Sequence, residues 1–201
     1  RQMCIRDRCK HLHYISIERY PVSATQLKDF AAPEVKELAT ELSVQWPPRI
    51  PGFHNLEFDN GCVKLTLVFH DSLEVAPKLE LEYDALFLDG FAPKKNEEMW
   101  SERLLSALAR KASQGASVST WCTSGQVRRT LEKSGFILKK LPGFGQKSER
   151  LWGEMRAART RHTQRGAIRD VVVIGGGLSG ANVAYSLKKR GCLLYTSDAA
   201  D

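Results

Sequence analysis

The chain has 201 residues, 42% of them hydrophobic, which is enough for one large domain or for a domain and part of a second. No stretch approaches the ~18 to 20 uninterrupted apolar residues of a membrane-spanning helix, and the charged first residues do not form a secretory signal. Composition therefore argues against a membrane partner and predicts a cytoplasmic protein. The oligomeric state stays open, with a monomer as the default expectation.

The positive charge of the chain is regional. The formal net charge is +7, but residues 128–169 hold twelve basic and three acidic side chains and so carry +9, which leaves −2 for the remainder. A basic segment of this kind is typical of a surface that holds phosphate groups. A solvated basic face followed by a basic linker has the same composition, and charge alone does not choose between the two.

The cysteines and histidines predict neither a metal site nor a disulfide framework. The five cysteines are odd in number, widely separated and never in a CxxC pair. Of the five histidines, only His11 and His13 lie close together, and no third ligand accompanies them. We therefore expect no metal.

The first half of the chain alternates between strand and helix patterns. The run "LHYISIERYP" predicts a buried strand that Pro21 closes, and the apolar spacing from Ala24 to Leu42 predicts two short helices or one helix broken at Pro33. "CVKLTLVFHD" predicts a strand with one drier face. "YDALFLDG" is the most continuous apolar run, which is typical of a central strand, and it ends at Asp89.

The second half continues this alternation. We expect a helix capped by Asn96, a strand at "ASVSTWCT", a short helix over residues 127–133, and strands at "FILKKLP" and "RLWGEM". Strands that alternate with helices predict an α/β domain with a largely parallel sheet. The charged stretch from Arg156 to Arg169 has no apolar period and predicts a linker, with a domain boundary near Asp170.

Three predicted strands end at an acidic residue. Parallel sheets bind ligands at the carboxyl ends of their strands, so Glu18, Asp71 and Asp89 are candidates to line one crevice. Alternatively, these acids only keep the loops after the strands soluble. Phe91 and Pro93 follow Asp89 in an extended, apolar stretch, and an aromatic ring beside a carboxylate suits a planar base that carries an amine.

A glycine-rich motif lies near the end of the chain. Residues 171–174 predict a buried strand, and Gly175, Gly177 and Gly180 occupy the positions of a GxGxxG turn before a helix. The turn lets the backbone approach a pyrophosphate that faces the helix N-terminus. The motif predicts dinucleotide binding without choosing between a flavin and a nicotinamide.

Several of these stretches together resemble one family. "HYISIERYP", "YDALFLDGFAPKKNEEMW", "TSGQVRRTLEKSGF" and "LPGFGQKSERLWGEM", followed by the glycine-rich motif, are similar to the bifunctional enzymes that complete 5-methylaminomethyl-2-thiouridine at tRNA wobble positions. The resemblance covers about Leu12 to Gly191. It implies an S-adenosyl-L-methionine-dependent methyltransferase half and an FAD-dependent oxidoreductase half, with tRNA as the substrate.

The resemblance also implies roles for individual residues. It places Asp89 at the centre of methyl transfer, Glu18 at the ribose of S-adenosyl-L-methionine and Asp71 near the adenine, with Phe91 and Pro93 as pocket walls. It assigns FAD to the three motif glycines. Candidates for contacts with tRNA phosphates are the basic residues of the two later stretches, namely Arg128, Arg129, Lys147 and Arg150.

The implied domain organisation is that of a fragment. Residues 12–155 correspond to the methyltransferase domain, residues 156–169 to a basic linker and residues 170–192 to the start of the FAD-binding domain. The family's first strand and its glycine loop would precede residue 12, so we expect an incomplete Rossmann-like sheet followed by the first β-α unit of a second Rossmann domain.

The ends of the chain fit neither half. Residues 1–11 and 193–201 resemble translated sequencing adapters, which predicts non-native ends, and such a fragment is expected to be inactive by itself. Two other functions remain open: a methyltransferase for a small amine, and a non-catalytic module that binds RNA or a nucleotide.

Overall fold

A computed structural model describes residues 11–143, 148–156, 181–183 and 185. The chain forms two compact units, Arg1–Arg159 and Thr160–Asp201. In the second unit the described residues are helical. Several predictions lie outside the described residues: Lys147, Gly175, Gly177, Gly180, the strand over residues 171–174, most of the linker, and nearly all of both terminal segments.

One sheet of the first unit contains three strands: β1 (Leu12–Glu18), β2 (Gly52–Phe58) and β3 (Val63–Phe69). The strand order is β1-β3-β2, with β1 parallel and β2 antiparallel to β3. The residues Asp59, Asn60 and Gly61, which connect β2 to β3, all have positive φ angles. β2, whose hydrophobic alternation is weak, was not predicted from the sequence; the asparagine-glycine pair, which is typical of hairpin connections, was the signal for it.

The second sheet contains four strands in the order β4-β5-β7-β6. They are β4 (Tyr83–Leu88), β5 (Ala112–Thr120), β6 (Phe136–Pro142) and β7 (Glu149–Met155). Only β4 and β5 are parallel, whereas β7 runs antiparallel to both of its neighbours. The expectation of a largely parallel sheet was therefore wrong, and the fold is α/β with mixed sheets. The short connections before β3 and β7 force antiparallel pairing, because a parallel crossover needs a dozen or more residues.

Five helices connect the strands: α1 (Ala24–Asp29), α2 (Lys36–Gln45), α3 (Ser72–Val75), α4 (Glu102–Ala109) and α5 (Gly125–Lys133). Pro33 begins a 3-10 turn between α1 and α2, which confirms two short helices. The helix expected from Asn96 begins later, because Ser101 caps α4 through Leu104 N (3.3 Å). Asn96 instead accepts from Met99 N (3.4 Å) before the 3-10 turn Glu98–Trp100. No helix among the described residues is long and apolar enough to cross a membrane.

The main core lies on the second sheet. Leu105 and Leu131 pack from α4 and α5 against Val118 of β5, and all three side chains are almost fully buried. The expectations of a buried β1 and a central β4 were wrong, because Tyr14 is 47% exposed, β4 lies at the edge of its sheet, and Phe87 is 65% exposed. Within the described residues each of these two strands pairs along only one side, so its other edge and part of its apolar surface stay open.

Candidate active site

A cavity of about 800 Å³ opens at the carboxyl ends of β1, β3 and β4. The three acids predicted from the sequence, Glu18, Asp71 and Asp89, all line it. Glu18 and Asp71 meet because the parallel strands β1 and β3 end at the same edge of the first sheet, and the end of β4 brings Asp89 to the same cavity. The cavity is large enough for a ligand of several rings.

Glu18 is held in place by the backbone at the end of β1. It pairs in register with Phe69, and its carbonyl oxygen accepts a hydrogen bond from His70 N (3.1 Å). Loss of water around its carboxyl raises the pKa of Glu18, a hydrogen bond from Ser16 Oγ lowers that pKa, and the charge of Asp89 raises it. Loss of water is the largest of these causes, so the pKa of Glu18 is raised overall.

Asp89 comes directly after β4, at the level where Leu88 pairs with Thr120 of β5. Its charge reaches Glu18 on the other side of the cavity. Neither carboxylate forms an ion pair with a described residue. The cavity thus contains two neighbouring negative groups that a cation or hydrogen-bond donor can satisfy.

Asp71 differs from these two acids because the protein already uses both of its carboxylate oxygens. Oδ1 caps α3 by accepting from Leu73 N (2.7 Å), and Oδ2 pairs with the guanidinium of Arg19 (2.9 Å). The side chain is 20% exposed. Asp71 is thus built into the wall, and a direct contact with adenine stays a prediction.

The segment after Asp89 is anchored by a buried tryptophan. Trp100 donates its indole N–H to the carbonyl oxygen of Phe91 (2.7 Å) and is only 2% exposed. Phe91 is 76% exposed and lines the cavity, whereas Pro93 is half-buried and is not one of the residues around it. A Cβ on Gly90 would overlap the sulfur of Met99, so this glycine permits the close packing.

The three predicted basic residues that the structure describes are not part of the cavity lining. Arg128 and Arg129 are exposed on α5, where Arg128 pairs with Glu132 (3.5 Å), and Arg150 is half-buried on β7. Because β4 and β5 are parallel, α5 begins at the edge where Asp89 lies.

Sequence reasoning missed two residues near the site. Arg19 lines the cavity and pairs with two acids, and its position next to Glu18 was the signal. Thr120 pairs with Leu88, so the next residues on the two strands, Trp121 and Asp89, lie side by side at the strand ends. The side chain of Trp121 is 41% exposed. Its indole N–H makes no hydrogen bond to a described residue.

The cavity residues fit S-adenosyl-L-methionine. The carboxyl of Glu18 can accept hydrogen bonds from a pair of hydroxyl groups, and the negative pair of Glu18 and Asp89 suits a ligand with a positive centre. The model of the S-adenosyl-L-methionine-dependent methyltransferase family matches residues 33–156, which is more than half of the chain. The chain belongs to this methyltransferase family.

Curated relatives confirm the narrower resemblance. The chain is 44% identical over 197 residues to the tRNA 5-methylaminomethyl-2-thiouridine biosynthesis bifunctional protein MnmC of Aromatoleum aromaticum, with 96% of this chain and 31% of the relative covered. It is 41% identical over 197 residues to the MnmC protein of Burkholderia pseudomallei, with 91% and 30% covered. The chain thus spans about a third of the length of the relatives it matches.

A solved structure shows the same fold. The crystal structure of MNMC2 from Aquifex aeolicus superposes with a TM-score of 0.59 at 22% identity and covers 73% of this chain and 45% of that one. This similarity supports the α/β methyltransferase fold of the present chain.

Proposed function

We propose that this chain supplies the methyltransferase site of a longer protein that methylates the aminomethyl nitrogen of a tRNA wobble uridine and so forms 5-methylaminomethyl-2-thiouridine. The observation that carries the proposal is the meeting of Glu18, Asp89 and the exposed ring of Phe91 at one cavity of a methyltransferase fold. The names of the curated relatives support the choice of substrate.

In this mechanism Asp89 orients the reacting amine. When bound, S-adenosyl-L-methionine supplies a methyl group on a positively charged sulfur. Transfer of that methyl group to the amine nitrogen would break the S–C bond and release the neutral thioether, and Asp89 would accept the proton that the nitrogen loses. Asp89 accepts a hydrogen bond from the amine N–H and holds the lone pair in line with the methyl carbon. A partly dehydrated site favours the neutral amine, which is the nucleophilic form.

The other cavity residues position the two substrates. Glu18 accepts hydrogen bonds from the ribose hydroxyl groups of the cofactor, and Asp71 supports the neighbouring wall. The exposed ring of Phe91 packs against the uracil base. Pro93 stiffens the turn that presents Phe91. Positioning supplies most of the rate enhancement, because in-line transfer needs no covalent intermediate with the protein.

We further propose that tRNA contacts the surface beside this cavity. Arg128, Arg129 and Arg150, together with Lys147, supply positive charge for phosphate groups. Trp121 adds an exposed aromatic ring at the strand ends, and exposed aromatics near basic residues are typical of surfaces that stack unpaired bases.

We also propose that an FAD-dependent domain of the longer protein acts before the methyl transfer. Gly175, Gly177 and Gly180 would begin that domain's pyrophosphate turn. The domain would remove the carboxymethyl group and expose the amine that the methyltransferase site accepts. Both steps belong to a protein of the cytoplasm, where tRNA is modified.

The decisive experiment measures methyl transfer from labelled S-adenosyl-L-methionine to tRNA that carries an unmethylated aminomethyl group, using the complete gene product. Asp89→Asn should lower kcat by about 10²- to 10⁴-fold, the range expected for a residue that handles a proton or orients the nucleophile. The matched control is Asp84→Asn on β4, whose side chain accepts from Ser113 Oγ (2.9 Å) and lies outside the cavity lining.

Three results would contradict the proposal. Full activity of the Asp89→Asn variant would remove the residue from the reaction. Methylation of small amines with no binding of tRNA would favour the small-amine alternative, whereas tRNA binding without any methyl transfer would favour a non-catalytic module. Binding of tRNA through several phosphates should weaken steeply as the salt concentration rises, so the salt dependence of the Kd tests tRNA binding separately.

A further inference from the structure

Arg19 connects three separate parts of the cavity wall. It follows β1 directly, and its Nη1 lies 2.9 Å from Asp71 Oδ2 and 3.4 Å from Glu98 Oε2. Asp71 begins the turn after β3, and Glu98 belongs to the segment between β4 and α4. All three residues line the cavity. A single guanidinium therefore bridges the strand ends of one sheet and the loop that follows the other.

The two ends of this bridge differ in rigidity. Asp71 is fixed because it also caps α3 and is only 20% exposed. Glu98 is 66% exposed and lies in a short 3-10 turn. The guanidinium of Arg19 therefore links Asp71, whose position is fixed, to Glu98, which has few other restraints.

The loop that Glu98 ends is the one that carries Phe91. Trp100 fixes it at its base through the Phe91 carbonyl (2.7 Å). The backbone N–H groups of Lys95 and Asn96 donate to Ala92 O at 2.7 and 3.2 Å, which closes a tight turn over the middle of the loop. The Arg19 bridge is the ion pair that ties this loop to the first sheet.

The bridge also decides which acids of the cavity form an ion pair. Arg19 pairs with Asp71 and Glu98 and so offsets one of their two negative charges, whereas Glu18 and Asp89 form no ion pair with a described residue. Exposed ion pairs contribute little to global stability, so the main effect of this one is on the position of the loop.

We propose that Arg19 is a positioning residue that holds the loop of residues 91–98 against the cofactor side of the cavity, with Asp71 acting through Arg19. The effect on the reaction rests on the proposed function, since a loop that is free of Arg19 presents Phe91 and Asp89 less precisely to the substrate. The restraint on the loop does not rest on it, and it can be measured without any substrate.

The test is amide hydrogen exchange at Lys95 and Asn96 in the full chain. Arg19→Gln and Glu98→Gln should each speed this exchange by about two- to fivefold, the range that corresponds to an exposed ion pair. The matched control is Glu97→Gln, a neighbouring acid that lines the cavity and forms no ion pair with a described residue. Unchanged amide protection in β5 and β7 confirms that each variant is folded.

A double variant makes the test specific. Glu98→Gln should have no further effect in the Arg19→Gln background, because the bridge is already lost. In the complete gene product, Arg19→Gln should lower kcat for methyl transfer by about tenfold while the Kd for S-adenosyl-L-methionine changes by less than about twofold.

The outcomes separate this proposal from the proposed function. Faster exchange without any methyl transfer to tRNA would overturn the function and leave the positioning role intact. Unchanged exchange in Arg19→Gln, additive effects in the double variant, or an equal effect of Glu97→Gln would overturn the positioning role.

Discussion

Glu18 ends β1 of the first sheet, Asp89 follows β4 of the second sheet, and the charge of Asp89 raises the pKa of Glu18 in the cavity that both residues line. Their sequence separation is large, and no secondary structure joins them directly. The cavity therefore depends on how the two sheets are placed within the first unit. A change to either acid, or to the loop after β4, should be detectable on the opposite side of the cavity.

The raised pKa of Glu18 makes stability depend on pH. The folded chain binds more protons than the unfolded chain between the ordinary and the raised pKa, so the free energy of unfolding falls as pH rises through that window. Glu18→Gln should remove this fall and be at least as stable as the parent at neutral pH. Urea unfolding from about pH 4 to about pH 7 measures it.

Two further variants test the causes of that shift. Asp89→Asn should move the Glu18 titration to lower pH, because a neighbouring negative charge is lost. Ser16→Ala should move it to higher pH, because the hydrogen bond that favours the charged form is lost. NMR titration of the Glu18 carboxyl reports both, and shifts in the same direction would contradict this account.

Trp100→Phe should free the loop that carries Phe91 while lowering the free energy of unfolding only slightly. The variant keeps most of the buried apolar surface but loses the hydrogen bond to Phe91 O, worth about 0.5–1.5 kcal/mol. Trp46→Phe is the matched control, because it loses an indole bond to Val22 O (2.9 Å), and neither of those residues lines the cavity. Methyl-transfer assays on the complete gene product should show a raised KM for tRNA for the first variant only.

Gly153→Ala should destabilise the second sheet. A Cβ at this position would lie 2.5 Å from Ile137 O and 2.5 Å from Leu138 Cδ2, and the carbonyl belongs to the adjacent strand β6. Overpacking of this kind costs about 1–3 kcal/mol. At Gly125 the added Cβ approaches only the far end of the Arg129 side chain, so Gly125→Ala should be neutral or stabilising. Urea midpoints that rank the two variants in the opposite order would contradict the prediction.

Tyr83→Phe should leave stability unchanged or raise it by up to about 1 kcal/mol. The Tyr83 hydroxyl is buried with no hydrogen-bond partner in the described structure, and burial raises its pKa. Removing it therefore relieves a desolvated polar group at no loss of contact. Tyr14→Phe, at a 47% exposed ring, serves as the neutral control in the same unfolding assay. A clear loss of stability in Tyr83→Phe would reveal a partner for the hydroxyl.

The positions of most strands and helices followed from the sequence. Apolar runs and their punctuation by proline, glycine and capping residues predicted β1, β3 and the strands of the second sheet, because these signals act over a few neighbouring residues. The helix expected at Asn96 failed because Ser101 offered a second cap nearby, and local signals do not rank two competing caps.

The order of the amino acids was sufficient for the family, the α/β class and the three acids at strand ends, because these depend on local pattern and on motif order. The mixed sheets, the exposure of Phe87 and Phe91, and the pairing of Arg19 with two acids emerged only in the folded chain. Strand pairing, exposure and ion pairs depend on groups far apart along the chain, and local periodicity carries no information about which distant groups meet.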